Sequence, residues 1–474
     1  MSTRAPERDW LLAVLLAGPF MAQADATIIN VATPSIHTDL GASGAGLELV
    51  VGGYLIAFAV LLITGARLGQ THGYRRIFLL GVGLFTTASL LCGLAPTVAA
   101  LVLARVVQGL GAALMFPQTL TGIQLNYTGG QRARAIGLYA MALSAGAVAG
   151  QILGGALISA DLAGSQWRAI FLINVPVGLL IIAAGWRYLP HDARRTPRRL
   201  DLRGAAALSA ALLLVVAPLV LGRGQGWPAW TWLCLGAGAA TAAGFGAVER
   251  RVAARGGTPL VTVEVLARSA VSWALITLMA VTGTYYALLF TLAQYLQQGL
   301  GRSPLASGLT LLPWVAAFGL AGQLVRRLPP RTAPAAPAAG CLLLSAAYAA
   351  ITGALVTGHF GEPLLAVLLG VGGLGLGIQF NALVAHLTTV VPTDYAPDIS
   401  GVTTVTLQIG GAIGIAALGT LYLSVSDHPG AGHATHAFAL TTAAFTAIAL
   451  LASAAAGRVA RSGHTAEAPV LLHR

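Results

Sequence analysis

The 474-residue sequence contains no lysine, and all 27 of its basic residues are arginines. This absence excludes a P-loop, whose phosphate-binding lysine is part of the motif, and it excludes Schiff-base catalysis. Charged residues make up only 9% of the chain, whereas a soluble domain carries about a quarter. We therefore predict a membrane protein rather than an enzyme, with no bound cofactor.

Cysteine is also scarce. Cys92, Cys234 and Cys341 all fall in apolar segments, so they predict neither a disulfide framework nor a metal site. The histidine-containing segment 427–436 is interpreted as a solvated loop, with a metal site as the less favoured alternative. The site is expected to contain no metal.

Long apolar runs are abundant, since 56% of the residues are hydrophobic. A helix that crosses a bilayer needs ~20 apolar residues, and hydropathy predicts fourteen such spans. Their approximate limits are 10–33, 46–66, 77–95, 98–120, 135–159, 168–189, 204–222, 230–248, 270–293, 305–325, 336–357, 363–386, 398–424 and 436–457.

The arginines predict the orientation of these spans, because short loops rich in Lys or Arg stay in the cytoplasm. With the N-terminus inside, only Arg168, Arg223 and Arg302 fall on the outer side, and Arg105 lies within a span. We therefore predict a multi-pass protein of the cell inner membrane with both termini in the cytoplasm. The net charge of +12 is interpreted as topology and contact with lipid, not as nucleic-acid binding.

A glycine repeat divides the chain into related halves. Six glycines recur later in the sequence at one constant offset: Gly109, Gly111, Gly137, Gly146, Gly150 and Gly155 match Gly373, Gly375, Gly401, Gly410, Gly414 and Gly419. Duplicated halves are typical of secondary transporters, whose substrate site lies between them. We predict a six-helix bundle in 1–190, a linker with two extra spans in 191–267, and a second six-helix bundle with a short tail in 268–474.

One carboxylate, Asp25, lies inside the first predicted span. A charge near the centre of a membrane helix costs roughly 2.5–3.5 kcal/mol, so such a residue indicates function. A structural salt bridge and a permanently protonated carboxyl are the alternatives. Arg105 is the other ionisable residue placed clearly within a span. A carboxylate and a guanidinium that face one cavity form a pair that depends on protonation.

Four segments carry a resemblance to a known family: Asp25–Pro34, Arg105–Ala113, Trp167–Gly178 and Tyr295–Pro304. Together they resemble the fourteen-helix drug:proton antiporters of the major facilitator superfamily, over nearly the whole chain. The resemblance implies an all-α membrane protein with two six-helix bundles and two linker helices. It also implies proton-coupled efflux of small amphipathic or cationic compounds by alternating access, in which Asp25 binds the coupling proton and Arg105 tunes it.

The fifth predicted span departs from the family pattern at one position. Gly146, Gly150 and Gly154 lie on one helical face, which lets another helix approach closely. The antiporter pattern has Gly-Pro where this sequence has Gly150-Gln151. We expect the packing face to be kept and the proline kink to be absent, which leaves Gln151 as a candidate cavity residue.

The loop after the second span departs in a similar way. It resembles the cytoplasmic gating loop of the superfamily and keeps Arg75 and Arg76, but Gln70 stands where the family usually has an acid. A weaker latch on the cytoplasmic side is expected. Leu407, in the thirteenth span, stands where the family often has a basic residue.

Substrate contacts are expected among polar and aromatic residues of the spans, because ligand pockets are mostly apolar with a few polar groups. The main candidates are Tyr54, Gln108, Gln151, Gln294 and Asn381. A wider set comprises Tyr139, Tyr285, Tyr286, Trp314, Phe318 and Gln379. The expected partners are a small-molecule substrate, protons and the lipid bilayer, and the protein is expected to be a monomer.

Two other functions stay open from the sequence. The first is export of a single endogenous metabolite. The second is a membrane receptor or scaffold that transports nothing. The second alternative has no need for Asp25, so a substitution there would be silent.

Overall fold

The structure is a computed structural model. It describes residues 5–161, 164–191, 202–222, 225–254, 263–329, 331–358, 361–391, 396–426 and 431–465. Residues 192–201 and 255–262 of the predicted linker, and residues 427–430 of the predicted histidine loop, lie outside these ranges. In the described ranges the chain is helical and contains no β-strand.

The first part of the chain forms seven helices. They are α1 (Ala5–Leu40), α2 (Gly44–His72), α3 (Tyr74–Gly93), α4 (Val98–Asn126), α5 (Gly129–Ala160), α6 (Ala169–Leu172) and α7 (Asn174–Tyr188). A 3₁₀ turn, Gln166–Arg168, precedes α6. The middle of the chain forms α8 (Leu202–Leu221), α9 (Ala229–Ala254) and the short α10 (Val263–Leu266).

The last part forms eight helices. They are α11 (Ser269–Gln294), α12 (Pro304–Leu309), α13 (Leu312–Arg327), α14 (Ala336–Val356), α15 (Glu362–Val390), α16 (Ala396–Gly414), α17 (Thr420–Val425) and α18 (Ala431–Thr465). A π-helical turn, Tyr295–Gly299, extends α11, and a second, Ile415–Gly419, joins α16 to α17.

Short polar residues begin several of these helices. The hydroxyls of Ser43, Thr97 and Ser303 accept hydrogen bonds from backbone amides in the first turns of α2, α4 and α12. Such caps satisfy amides that have no partner within the helix. Gly73 separates α2 from α3 at φ +94°, a conformation that glycine adopts without steric cost.

Thirteen helical stretches in the described ranges are long and apolar enough to cross a membrane. They coincide with thirteen of the fourteen predicted spans. The seventh predicted span, 204–222, coincides with α8, of which only Ala206–Leu219 forms a shorter apolar stretch. The prediction of a multi-pass helical membrane protein is confirmed, and the count of fourteen stays a prediction.

The helices pack as two bundles. Helices α1 to α7 contact one another around two apolar cores, and α11 to α18 contact one another around a third. Helix α8 lies against α2, and α9 lies against α8 at the periphery. The predicted domain boundaries stay a prediction.

Repeat-related glycines make the same kind of contact in both bundles. A methyl group at Gly150 would lie 2.2 Å from the backbone oxygen of Ala24, which brings α5 against α1. At Gly414 it would lie 2.1 Å from the backbone oxygen of Gly283, which brings α16 against α11. Since a side chain at these crossings would meet backbone, the glycines set how closely the helices approach.

Two faces join the bundles. Helix α5 of the first bundle runs along α12 and α13 of the second, where Ile152 contacts Gly308 and Met141 contacts Gly319. Helix α16 of the second bundle packs against α2 and α4 of the first. Any relative movement of the bundles must change these two faces.

Candidate functional site

The candidate site is a buried polar network around Asp25. An Nη1 of Arg105 donates to Oδ2 of Asp25 at 2.5 Å, and both side chains are fully buried. Oδ1 of Asp25 accepts from Nε2 of Gln108 at 2.9 Å and from Nδ2 of Asn174 at 2.8 Å. The carboxyl group therefore accepts three donors from two helices, α4 and α7. An ionised carboxylate satisfies this arrangement fully, because it only accepts hydrogen bonds.

A second layer of contacts fixes the orientation of Gln108. Its Oε1 accepts from Arg105 Nη1 at 2.7 Å, and its Nε2 also donates to Ser89 Oγ at 2.7 Å. The amide group of Gln108 thus presents its NH₂ to Asp25 and its oxygen to Arg105. Cys92 donates its thiol to the same oxygen at 3.7 Å. If Asp25 were protonated, its O–H would face the N–H groups that now donate to it. Two donors cannot form a hydrogen bond with each other, so the network would have to rearrange.

Arg105 is held by more than its counter-ion. Its Nε donates to the backbone oxygen of Val50 on α2 at 3.2 Å. Its guanidinium lies 4.4 Å from the ring centroid of Tyr54 and 5.7 Å from that of Phe171, distances within the range of cation–π attraction. The Tyr54 hydroxyl donates to the backbone oxygen of Ala22 at 3.2 Å. Arg105 therefore connects α1, α2 and α4.

The apolar surroundings separate this network from one end of the first bundle. Ile29 and Ile36 of α1 pack there with Leu101, Trp167 and Phe171. Charges in such a low-dielectric site interact more strongly than in water, and an unpaired charge is costly.

No group of three or more metal-ligating side chains occurs among the residues that the structure describes.

An ion pair lies outside the span at the end of α1. Asp39 accepts from Arg168 Nη1 at 2.6 Å and from Trp167 Nε1 at 3.0 Å. The hydrogen bonds from Arg168 and Trp167 hold the pKa of the Asp39 carboxyl below its usual value. This contact links the end of α1 to the turn before α6.

Asn174 was not singled out by the sequence, although it lies within one of the four family-like segments. It is the first residue of α7, directly after the junction with α6. This junction turns the side chain inward, where it is buried against Asp25. An asparagine near the predicted start of a span is also typical of a membrane boundary. The useful signal was its position inside an apolar run between Phe171 and Pro176.

The predicted substrate residues are spread over several places. Tyr54 and Gln108 belong to the Asp25 network. Gln151 is buried, and its Oε1 makes no hydrogen bond. Asn381 donates to the backbone oxygen of Gly377 in its own helix at 2.8 Å. Gln294 is only partly buried at the end of α11.

The predicted gating and packing residues lie within the first bundle. Gly146, Gly150 and Gly154 face α1. Arg75 donates to the backbone oxygen of Trp186 in α7 at 2.7 Å, and Arg76 is exposed at the start of α3. In α2, Gln70 accepts from Arg67 at 2.8 Å. These contacts of Arg75 and Gln70 stay inside one bundle.

A cavity lies between the bundles, where α4 and α15 end and α5 and α16 begin. Its described lining residues are apolar or uncharged polar. They include Leu120, Gln124, Tyr139, Phe380, Thr403 and Leu407. Leu407, which stands where the family often has a basic residue, thus forms part of the wall of this cavity.

Several aromatic side chains pack together in the core of the second bundle. Trp314 stacks between Tyr285, at 5.9 Å between ring centroids, and Tyr348, at 6.4 Å. The Trp314 ring fits against Gly372, where an added methyl group would come within 2.6 Å of it. The Trp314 Nε1 is buried without a hydrogen-bond partner.

Comparisons with known proteins agree with this architecture. The chain is 36% identical to the "Probable actinorhodin transporter" of Streptomyces coelicolor, over 88% of this chain and 73% of that protein. It is 33% identical to the "Multidrug resistance protein Stp" of Mycobacterium tuberculosis, over 87% of this chain and 76% of that protein. The solved structure of the proton:xylose symporter XylE shares the fold, with a TM-score of 0.66 and 14% identity, and 95% of each chain is covered. A family model described as Major Facilitator Superfamily matches residues 15–415, and the chain belongs to that superfamily.

Proposed function

We propose that this protein exports small amphipathic organic compounds, drugs or antibiotics, across the cell inner membrane in exchange for protons. The observation that carries the proposal is the buried pair of Asp25 and Arg105, completed by Gln108 and Asn174. A carboxylate at that depth is expensive, and its neighbours are arranged around its charge. Such a group changes the local contacts when it binds a proton, as a coupled transporter requires.

The proposed cycle follows from the network. With Asp25 ionised, Arg105 is paired and its Nε holds the backbone of α2 at Val50. When Asp25 takes up a proton, Arg105 loses its counter-ion and its contacts with Val50 and Tyr54 have to change. Since α2 packs against α16 of the second bundle, this change reaches the contact between the bundles. Alternating access then exposes the cavity on one side and afterwards on the other.

The energy available suits an exporter. A membrane potential supplies ~2.3 kcal/mol per charge per 100 mV. One proton at that drive sustains roughly a fifty-fold gradient of an uncharged substrate, with RT near 0.59 kcal/mol. In the proposed orientation, with both termini in the cytoplasm, the cavity between the bundles lies toward the cytoplasmic ends of its helices. One chain supplies both bundles, so we propose that it acts as a monomer.

The names of the relatives support export and leave its breadth open. One relative is named for multidrug resistance and the other for the single compound actinorhodin. The second name favours, as a second candidate, export of one endogenous metabolite by the same mechanism. Resistance profiling of a drug-sensitive host that expresses this chain separates the two, because a single-metabolite exporter protects against one compound class only.

The test of proton coupling uses Asp25→Asn. A compound identified by resistance profiling is offered to proteoliposomes with an imposed pH gradient. The parent protein should accumulate it against its concentration gradient, whereas Asp25→Asn should bind it and fail to accumulate it. Asp39→Asn, in the same helix, is the matched control and should accumulate it normally. Uphill transport by Asp25→Asn at the parent rate would refute proton coupling, and no transport by the parent would favour a receptor or scaffold.

A further inference from the structure

One face of α16 leads from the cavity toward the middle of the protein. Thr404 and Leu407 line the cavity, and Gly411 follows on the same helical face, because residues three or four positions apart lie one above the other. The ring of Tyr286, in α11, lies against Gly411, where an added methyl group would come within 2.8 Å of it. Tyr286 is therefore placed directly beyond the cavity wall.

From this position Tyr286 reaches the first bundle. Its hydroxyl is hydrogen-bonded to the side chain of Gln23 in α1. Gln23 is buried, and an added methyl group at Gly146 of α5 would lie 3.2 Å from its Cβ. Tyr139, about two turns before Gly146 on α5, lines the cavity. The bond between Tyr286 and Gln23 thus joins the two bundles just beyond the cavity.

A short chain of contacts connects this bond to the Asp25 network. The Arg105 guanidinium lies 4.4 Å from the ring centroid of Tyr54, and the Tyr54 hydroxyl donates to the backbone oxygen of Ala22 at 3.2 Å. Ala22 directly precedes Gln23 in the sequence, and Asp25 follows Gln23 by two residues. A change in the pairing of Arg105 would therefore disturb the segment of α1 that carries Gln23.

The cavity is closed in this arrangement. It holds about 30 Å³, which is room for about one water molecule, so a drug-sized compound can enter only after the bundles separate. Since the bond between Tyr286 and Gln23 joins the bundles beside the cavity, such a separation has to break it.

We propose that Tyr286 is a positioning residue, which holds the cavity closed through Gln23 and releases it when Asp25 changes its protonation state. The hydroxyl is the part that matters, because the ring packs within the second bundle and only the hydroxyl reaches the first. This inference rests on the proposed exchange of substrate for protons. It deepens that proposal by naming a contact through which the proton site acts on the cavity.

Thiol labelling of a cavity residue tests the closing contact without transport. Thr403→Cys is introduced into the full-length protein, and the label that enters the same protein without this substitution is subtracted. Tyr286→Phe keeps the ring and removes the hydroxyl. It should raise the labelling rate by about two- to ten-fold, the change in an equilibrium that corresponds to one neutral hydrogen bond. Gln23→Met removes the other partner at similar length and should give the same increase.

Tyr348→Phe is the matched control. The Tyr348 hydroxyl donates to Thr284 Oγ1 at 3.3 Å within the second bundle, so its loss should leave the labelling rate at the parent value. Unchanged labelling in folded Tyr286→Phe, or an equal increase in Tyr348→Phe, would overturn the inference. If Tyr286→Phe fails to fold, Gln23→Met decides by the same criterion.

The connection to Asp25 is tested in the same assay. Asp25→Asn should also raise the labelling rate, because it removes the charge that pairs with Arg105. The double variant with Tyr286→Phe should label no faster than Asp25→Asn alone, since both changes act on one contact and their effects are then not additive. Increases that multiply in the double variant would show that Tyr286 acts independently of Asp25, against the inference.

Transport separates failure of this inference from failure of the proposed function. With a compound identified by resistance profiling, Tyr286→Phe should lower the accumulation reached under a pH gradient by about two- to ten-fold, while its downhill flux stays at the parent rate. Full accumulation by Tyr286→Phe would overturn the inference and leave export intact. If labelling changes as expected but the parent protein accumulates no compound, the closing contact is supported and export is refuted.

Discussion

Asn174 offers the sharpest test of the proposed proton site in the first bundle. Its Nδ2 donates to Asp25 Oδ1 at 2.8 Å, and the side chain is buried at the start of α7. Asn174→Leu keeps a similar volume and removes the donor. The variant therefore removes one of the three hydrogen bonds to the carboxylate and leaves Arg105 and Gln108 in place.

The expected size of the effect of Asn174→Leu on the pH dependence of transport follows from the charge of the acceptor, the Asp25 carboxylate. A hydrogen bond to a charged group contributes about 1.5–3 kcal/mol, and a tenfold change in an equilibrium constant corresponds to about 1.4 kcal/mol. Because an ionised carboxylate only accepts hydrogen bonds, the Asn174 donor stabilises the ionised form of Asp25 more than the protonated form. We therefore expect the midpoint of the pH dependence of transport to move upward by about one to two pH units in Asn174→Leu.

The assay is uphill transport in proteoliposomes, measured over a series of pH values with a compound identified by resistance profiling. Thr119→Val is the matched control, because Thr119 is buried in the same bundle and donates to the Leu15 backbone oxygen at 3.0 Å. It should lose about 1 kcal/mol of stability, typical of one neutral hydrogen bond, with its midpoint unchanged. An unshifted midpoint in folded Asn174→Leu, or an equal shift in Thr119→Val, would refute the assignment of Asn174 to the proton site.

Two further predictions concern stability. Gly150→Ala should destabilise the protein by about 1–3 kcal/mol, because its methyl group would meet the Ala24 backbone oxygen at 2.2 Å. Gly83→Ala, inside α3 and with open space around it, should not lower the temperature of thermal unfolding, because alanine favours a helix over glycine. Asp39 has a lowered pKa in the folded protein, so its contribution is present above the unfolded pKa of about 4 and is lost as the pH falls below it. Thermal unfolding between pH 5 and pH 3 should show this loss in the parent and a smaller loss in Asp39→Asn; identical curves would contradict it.

Some of the site could be predicted because it rests on local patterns. Asp25 and Arg105 are conspicuous as charges within apolar runs, and Gln108 follows Arg105 by about one helical turn. The glycine repeat was visible as a constant offset in the sequence. These features depend only on helical periodicity and on the cost of burying charge.

The rest depends on which side chains meet across helices that are far apart in sequence. As polar residues within spans, Gln294, Asn381 and Thr403 are equally plausible substrate contacts in the sequence. Of these three, only Thr403 lines the cavity. Hydropathy gives the position of a span and leaves its rotation against its neighbours open. The same limit explains Asn174, whose contact with Asp25 joins α7 to α1 although the two residues are 149 positions apart in sequence.

The two bundles share a backbone pattern and differ in chemistry. Gly109 of α4 and Gly373 of α15 make the same contact, since an added methyl group would meet the backbone oxygen of Tyr54 or of Trp314. At the same repeat offset, however, Leu369 stands for Arg105, and Gly372, which makes room for the Trp314 ring, stands for Gln108.

Under the proposed proton coupling, this asymmetry restricts how Asp25 can act on the substrate. The buried pair of Asp25 and Arg105 lies in the first bundle, while seven of the eleven residues that line the cavity belong to α15 and α16 of the second. The influence of Asp25 must therefore cross the contact between the bundles. Helix α2 fits that role for three reasons. The Val50 backbone oxygen accepts a hydrogen bond from Arg105, the Tyr54 ring lies against the guanidinium, and the helix packs against α16. A change in the pairing of Arg105 would therefore first alter its contacts with α2. Helix α2 packs against α16, whose residues Thr403 and Leu407 line the cavity.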